Sequence, residues 1–414
     1  MTRVFLHVGL AKTGTTSIQA ALVQSQERYA GHGLCLPGGR HHPQRRAAYD
    51  LVGRRIEGDE DSPAGSFRRL VEAVDACTAP RAVVTEELLA LARPRHVQRL
   101  GRELGHHDLE LVVGVRDLGR TLLSSWQQEV VNAQSFGWRS FADAVRDPEQ
   151  GSVRAGVAFW LRHDVLRVLD TWERLVPRDR VHLVTVPPAG AAGEVLLDRF
   201  AAAVGLPAGV LRLDDPLRNT SLGAVELEVV RRLNTRLDGL PRRQYLRVVQ
   251  GGLRPGLERP GSRRLTLPAE DRGWVAERSM EVVEQLRARG YQVHGDLEEL
   301  LTPPAVEPDA AEPGTEPGTG AAERRIDDVT DTELLAASEE ALASLARAHG
   351  ALFGRYRRTV GPEGEEATAL ERAASSVRAW GFRVRLAGLE RADRTPVLAW
   401  AARTALRRTS RRGS

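Results

Sequence analysis

The stretch that decides the fold is Val4-Phe5-Leu6-His7-Val8-Gly9-Leu10-Ala11-Lys12-Thr13-Gly14-Thr15-Thr16-Ser17. Residues 4–9 read as a short apolar strand, residues 9–14 as a Gly/Thr-rich turn, and residues 17–29 as a helix. Strand, phosphate-type loop and helix in that order open many α/β nucleotide folds. Glycines at 9 and 14 let the backbone curl so that several amide N–H groups face one point, and the following helix adds its positive N-terminal dipole. Thr13, Thr15, Thr16 and Ser17 add hydroxyl donors, and Lys12 adds a point charge. The segment reads as a cradle for phosphate or sulfate. It is not the standard nucleoside-triphosphate loop, in which lysine directly follows the second glycine; here Thr15 stands there and the lysine lies two residues before Gly14.

Lys12 is conspicuous for a second reason. Lysine and arginine together number 59, and 58 of them are arginine. Most surface positions accept either cation, whereas specialised sites do not. A chain that writes Arg almost everywhere and keeps one Lys in its anion loop points to chemistry that needs a compact ammonium.

Working outward, residues 81–85 form a second strand candidate, entering a helix at 86–91. Residues 109–115, LELVVGV, are a near-continuous apolar run, the mark of a parallel strand covered on both faces. A helix follows at 117–132. A fourth strand at 180–186 is closed by Pro187 and Pro188. Alternating strands and helices imply right-handed βαβ units. The expected fold class is therefore α/β, a parallel sheet with flanking helices, followed by a mainly helical C-terminal region. From 191 to 301 the pattern is mostly helical, with the clearest segments at 194–204, 222–238 and 268–289. Residues 1–301 read as one α/β domain, residues 302–329 as a Pro/Gly/acid-rich linker, and residues 330–414 as a helical, basic region. Its first helix, 331–349, places Leu334, Leu335, Leu342 and Leu345 at helical spacing.

The loop Ala11-Lys12-Thr13-Gly14-Thr15-Thr16 resembles the phosphosulfate-binding loop of sulfotransferases that use 3′-phosphoadenosine 5′-phosphosulfate (PAPS). Their usual form is P-K-[ST]-G-T-[TS], and Ala11 stands here in place of proline. The same family carries a second signature, an arginine followed eight residues later by a serine at a strand-to-helix junction, which holds the 3′-phosphate. Here LELVVGV ends in Arg116-Asp117, and Ser124 falls eight after Arg116; Leu118 replaces the family's usual proline. The placement suits the task, because open α/β sheets bind ligands at the carboxyl ends of their strands and a guanidinium matches phosphate oxygens bidentately. The resemblance covers residues 1 to about 301 and implies a P-loop-like sulfotransferase core. It implies PAPS as sulfuryl donor, held by Lys12, Thr13, Gly14, Thr15, Thr16, Ser17, Arg116 and Ser124.

Sulfuryl transfer also needs a base for the acceptor proton. Bacterial members of the family use a glutamate just after the second strand, and register places Glu87 of Thr85-Glu86-Glu87-Leu88 on it. Glu86 beside it and a histidine, His42 of the His41-His42 pair, remain alternatives. Lys12 is assigned to the leaving oxygen. His7 and His163 read as structural, and His106-His107 as a cap before the strand at 109. No His/Cys/Asp cluster shows metal-ligand spacing, so no metal is expected. A P-loop kinase or NTPase is the first rival, disfavoured by Thr15 and by the lack of a strand ending in a magnesium-binding aspartate. A non-catalytic scaffold is the second.

Composition bounds the rest. With 42% apolar residues the 414-residue chain can bury a large core. Two cysteines exclude a disulfide framework and a structural zinc cluster and fit a reducing compartment. No signal peptide or membrane span is visible, so the expectation is a cytoplasmic protein, peripheral at the membrane if its tail binds lipid. Residues 371–414 hold 11 arginines against Glu371, Glu390 and Asp393, a net of +8, while the whole chain is +4. That tail reads either as a basic helix drawn to anionic lipid or as a solvated appendage or oligomer contact. No nucleic-acid partner is expected; oligomeric state and acceptor (small molecule, glycan or lipid) stay open. The stretches 35–65 and 133–155 are expected to shape the acceptor pocket, with Phe136 and Trp138 read mainly as core.

Overall fold

The structure is a computed structural model, and it describes residues 1–55, 62–151, 154–214, 222–258, 264–301 and 328–359. Six strands form one parallel sheet: β1 Arg3–His7, β2 Leu34–Cys35, β3 Arg81–Thr85, β4 Asp108–Val115, β5 Val181–Thr185 and β6 Gln292–His294, in the order β2-β3-β1-β4-β5-β6. The α/β class and the four longer strands follow the sequence pattern. β2 and β6, two and three residues long, are too short to show a period.

Alternation along each strand explains why both faces are covered. Val4, Leu6, Val84, Leu111 and Leu183 enter one core, while Phe5, Val83, Val112 and Val184 enter another on the opposite face. A third core, built mainly from helices, gathers Trp126, Trp138, Phe141 and Phe159. Phe136 packs against it and Trp138 is 1% exposed, so these two aromatics serve as core, as expected. At its centre the fully buried Asp271 accepts the indole N–H groups of Trp138 (2.8 Å) and Trp274 (3.2 Å).

Three expectations change. The helix expected over 17–29 is two, Thr15–Gln24 and Gln26–Ala30. Ser25 interrupts it because its hydroxyl ties down Arg212, accepting from the backbone N at 3.0 Å and donating to the carbonyl at 3.2 Å. The helix expected at 331–349 runs Asp331–Thr359, but its buried face is Leu334, Ala337 and Ala341, with Leu335 and Leu342 exposed. Small residues face inward there because the contact is close: Ser344 donates to the Gly252 carbonyl at 2.8 Å. Finally, the expected reducing compartment carried no bridge with it, yet Cys35 and Cys77 form a disulfide, with Cα atoms 6.5 Å apart. It joins β2 to the segment following the Ser66–Asp75 helix.

Two compact units divide the chain, residues 1–347 and 348–414. Of the second, only the end of the Asp331–Thr359 helix is described. The linker residues 302–327 and the basic stretch 371–414 lie outside the described residues. Among the described residues no helix is long and apolar enough to cross a membrane.

Candidate functional site

β1 lies between β3 and β4, so successive connections leave it in opposite directions. The carboxyl ends of β1, β3 and β4 thus flank the topological switch point, where open α/β sheets form their ligand crevice. Residues 8–14 follow β1, Glu86 and Glu87 follow β3, and Arg116 follows β4. All three sequence-derived segments meet at this end of the sheet.

The loop folds tightly across β4. A Cβ on Gly114 would lie 2.7 Å from the Thr13 hydroxyl oxygen, so only glycine lets the loop pass. Gly14 has φ 80° and caps the Thr15–Gln24 helix, a left-handed conformation that glycine adopts freely. Lys12 also sits at positive φ, 69°, where a side chain is strained. Residues held in such conformations concentrate at functional sites. The amide N–H groups of residues 11–16 bond to no backbone carbonyl, which leaves them available to an anion.

The four hydroxyls are not equivalent. Thr13 is buried and donates to the Leu10 carbonyl at 2.7 Å, and Thr15 is buried 3.5 Å from it, beneath Gly9. These two brace the loop from inside. Thr16 is exposed and Ser17 half-buried, so they are the hydroxyls that face outward.

Lys12 reaches the Leu118–Val131 helix, where its ammonium donates to Gln128 Oε1 at 2.9 Å. Burial pulls its pKa down, opposed by Glu87 and reinforced by Arg116. Arg116 Nη1 donates to the Lys12 carbonyl at 3.0 Å. Its Nε is buried without a partner, and its neighbour Asp117 is taken by Arg120. Desolvation pushes the Arg116 pKa down to about 10, with Arg120 adding to it. Ser124 donates to the Thr121 carbonyl at 3.1 Å, and must turn off it to donate to a ligand. No hydrogen bond joins Arg116 to Ser124.

Beyond the loop lies a cavity of about 440 Å³, lined by Ala11, Thr16, Glu86, Glu87 and residues of the His41–Val52 helix. The two glutamates differ. Glu86 is buried, accepts the His41 Nε2–H at 2.6 Å, and caps the following turn through Leu88 N. Glu87 is exposed at the cavity mouth, and crowding by protein, then Glu86, raises its pKa, with Lys12 and Arg45 opposing. His41-His42 opens a helix rather than sitting in a loop, and it is His41 that meets the cavity while His42 points to solvent. The candidate base His42 thus does not line the cavity, because the helical register turns adjacent residues about 100° apart. His7 is buried and His163 half-buried, each with a pKa pushed down to about 3 by desolvation, and each bonded to a hydroxyl: Thr85 at 2.8 Å and Ser125 at 3.0 Å.

His106 and His107 do more than cap a strand. Both Nε2 atoms lie 2.8 Å from one Asp75 carboxylate oxygen. Sequence spacing hid this three-donor cluster because Asp75 comes from the end of a different helix.

No family model matches this chain, and no curated protein matches it. Among solved structures it is similar to a sulfotransferase from Alicyclobacillus acidocaldarius, at 16% identity and a TM-score of 0.35, covering 57% of this chain and 94% of that one.

Sequence reading missed Gln128, Arg162 and the helix face formed by His41, Arg45 and Tyr49. Gln128 lies four residues after Ser124, one helical turn along, a spacing that was there to be read. The helix face was hidden because Gly38, Gly39 and Pro43 mark the segment as irregular, whereas Pro43 falls in the helix's first turn, where it is tolerated.

Proposed function

We propose that the chain is a sulfotransferase that moves a sulfuryl group from PAPS to a hydroxyl or amine of its acceptor. Arg116 carries this reading. A half-buried arginine whose Nε is buried without a partner, and which pairs with no carboxylate among the described residues, calls for an anion. It stands beside a loop whose amides are also unpaired. Two adjoining anion-seeking groups fit a nucleotide bearing charge at both its 3′ and 5′ positions.

The residues present fit that donor: the loop amides with Thr16 and Ser17 would hold its 5′ end, and Arg116 with Ser124 its 3′-phosphate. Bound there, PAPS supplies the activated sulfuryl group. Lys12, held by Gln128 between Glu87 and Arg116, places a positive charge where the leaving oxygen gains negative charge. Glu87 takes the proton from the acceptor, and its raised pKa brings it nearer the working pH that a general base needs. Glu86, already bonded to His41 and Leu88 N, positions the turn that carries Glu87. The lipid-binding role proposed for residues 371–414 rests on their sequence alone.

The test is ligand-dependent melting. Adenosine 3′,5′-bisphosphate should raise the melting temperature far more than AMP or ATP, since only binding to the folded state stabilises it. Equal shifts from AMP would remove the site assignment. Radiolabel transfer from PAPS but not from ATP would separate sulfotransferase from kinase.

A further inference from the structure

The cavity beyond Glu87 has an uneven wall. On the His41–Val52 helix, His41, Arg45 and Tyr49 are spaced i, i+4, i+8 and line it together. That spacing sets side chains one above another on a single face. Arg54, just past the helix's C-cap Gly53, extends the row, and Arg162 faces it from the end of the Ala155–His163 helix.

The three guanidinium groups are not in the same state. Arg162 is paired with Glu129 at 2.8 Å. Arg45 lies over the Tyr49 ring, 5.8 Å from its centroid, and pulls the Glu87 pKa down only through space. No ion pair or hydrogen bond joins Arg45 or Arg54 to any carboxylate among the described residues. Of the two acids on the wall, Glu86 is taken by His41, and Glu87 faces Lys12 from the other side. Two cations are thus left facing the space an acceptor would fill, next to an aromatic ring.

The geometry points to an acceptor that itself carries a negative charge, a carboxylate or a phosphate or sulfate ester, received by Arg45 and Arg54 while its reacting hydroxyl meets Glu87. The inference rests on the sulfotransferase reading and narrows its substrate class. A neutral acceptor would leave these guanidiniums without a counter-charge; an anionic one matches their fork of donors. The acceptor's anion and the group being sulfated must be separate, since Glu87 removes a proton and an ionised carboxylate has none to give.

The experiment compares matched acceptors on the full chain. p-Nitrophenyl β-D-glucuronide and p-nitrophenyl β-D-glucoside differ only in a carboxylate against a hydroxymethyl; glucose 6-phosphate against glucose repeats the contrast with a phosphate ester. With adenosine 3′,5′-bisphosphate present, melting temperature is measured with each acceptor; with labelled PAPS, kcat and KM are measured. The charged member of at least one pair should stabilise the binary complex and show the lower KM. Arg45→Gln and Arg54→Gln should each raise that KM about tenfold, equivalent to ~1.4 kcal/mol; Arg54→Gln should leave kcat little changed, as expected when uniform binding is removed, whereas Arg45→Gln should also move the pH profile up, because Arg45 holds the Glu87 pKa down. A carboxylate-only or phosphate-only preference identifies which anion the wall receives. Equal or absent stabilisation by both members of both pairs, or equal KM values in the Arg variants, overturns the inference. The shift from adenosine 3′,5′-bisphosphate alone is read on every sample. If it persists while the acceptor preference is absent, the acceptor class is wrong and the donor site stands; if it is absent in the unmodified chain, the sulfotransferase reading itself fails.

Discussion

Replacing Lys12 with alanine and with glycine, side by side, should invert the usual order of stability. Both variants remove the ammonium and its 2.9 Å bond to Gln128, so these losses cancel in the comparison. What differs is the backbone. Glycine ordinarily destabilises relative to alanine by about 0.4–1 kcal/mol, because its unfolded chain has more freedom to lose. At φ 69° the balance changes, since a Cβ in the left-handed region costs roughly 1–2 kcal/mol that glycine avoids. The difference leaves Lys12→Gly more stable than Lys12→Ala by about 0.5–1 kcal/mol. In a unit of this size that corresponds to ~1–3 °C in melting temperature. Differential scanning calorimetry of both variants without ligand resolves such a gap. Both should lose transfer activity. An alanine variant as stable as the glycine one would refute the claim that the loop holds Lys12 in a strained conformation for the sake of its side chain.

Lys12→Arg should give a folded protein with most transfer gone, because a planar guanidinium does not reproduce a compact ammonium; near-normal turnover would make the chain's lone lysine incidental. Glu87→Gln should keep the adenosine 3′,5′-bisphosphate melting shift and lower turnover by ~10²–10⁴. In the unmodified chain, turnover should rise with pH through a pKa above the ordinary glutamate value, since only ionised Glu87 is a base. The stability sign is opposite: the folded state favours protonated Glu87, so its ionisation lowers stability as pH rises, and Glu87→Gln should gain relative melting temperature above that pKa. Asp271→Ala should destabilise by about 2–4 kcal/mol, read as a lower denaturation midpoint, because a buried and a half-buried indole N–H lose their acceptor. The full chain should co-sediment with anionic but not neutral vesicles, less so at high salt; no binding at low salt removes the lipid role proposed for residues 371–414.

The central strands and the anion loop were legible because each rests on a local pattern. β3 needs only an apolar run, and residues 9–14 need only glycines at the right interval. Arg116 and Ser124 were singled out through the family resemblance, which says nothing of the orphaned state of the Arg116 Nε, since that depends on where Asp117 turns. The choice between His41 and His42 was beyond reach while residues 38–43 looked irregular, because one residue of register decides which imidazole meets Glu86. The buried alanines at 337 and 341 were overlooked in favour of leucines because hydrophobicity, not closeness of approach, set the expectation. The Asp75–His106–His107 cluster and the Cys35–Cys77 bridge join segments far apart in the chain, and no periodicity announces a tertiary meeting.

The wall formed by His41, Arg45, Tyr49 and Arg54 is one unbroken stretch of chain, and it sits entirely between β2 and β3. The anion loop and Arg116 are built elsewhere, on β1 and β4. Inheritance can therefore treat the two halves of the site separately. Under the proposed function, a gene segment of some fourteen codons could drift, or be exchanged between related chains, and redirect the chain to a new acceptor while the strands proposed to hold the donor stay untouched. Chains sharing this sheet should then diverge in acceptor first at residues 41–54, and a transplant of that stretch should carry the acceptor preference with it.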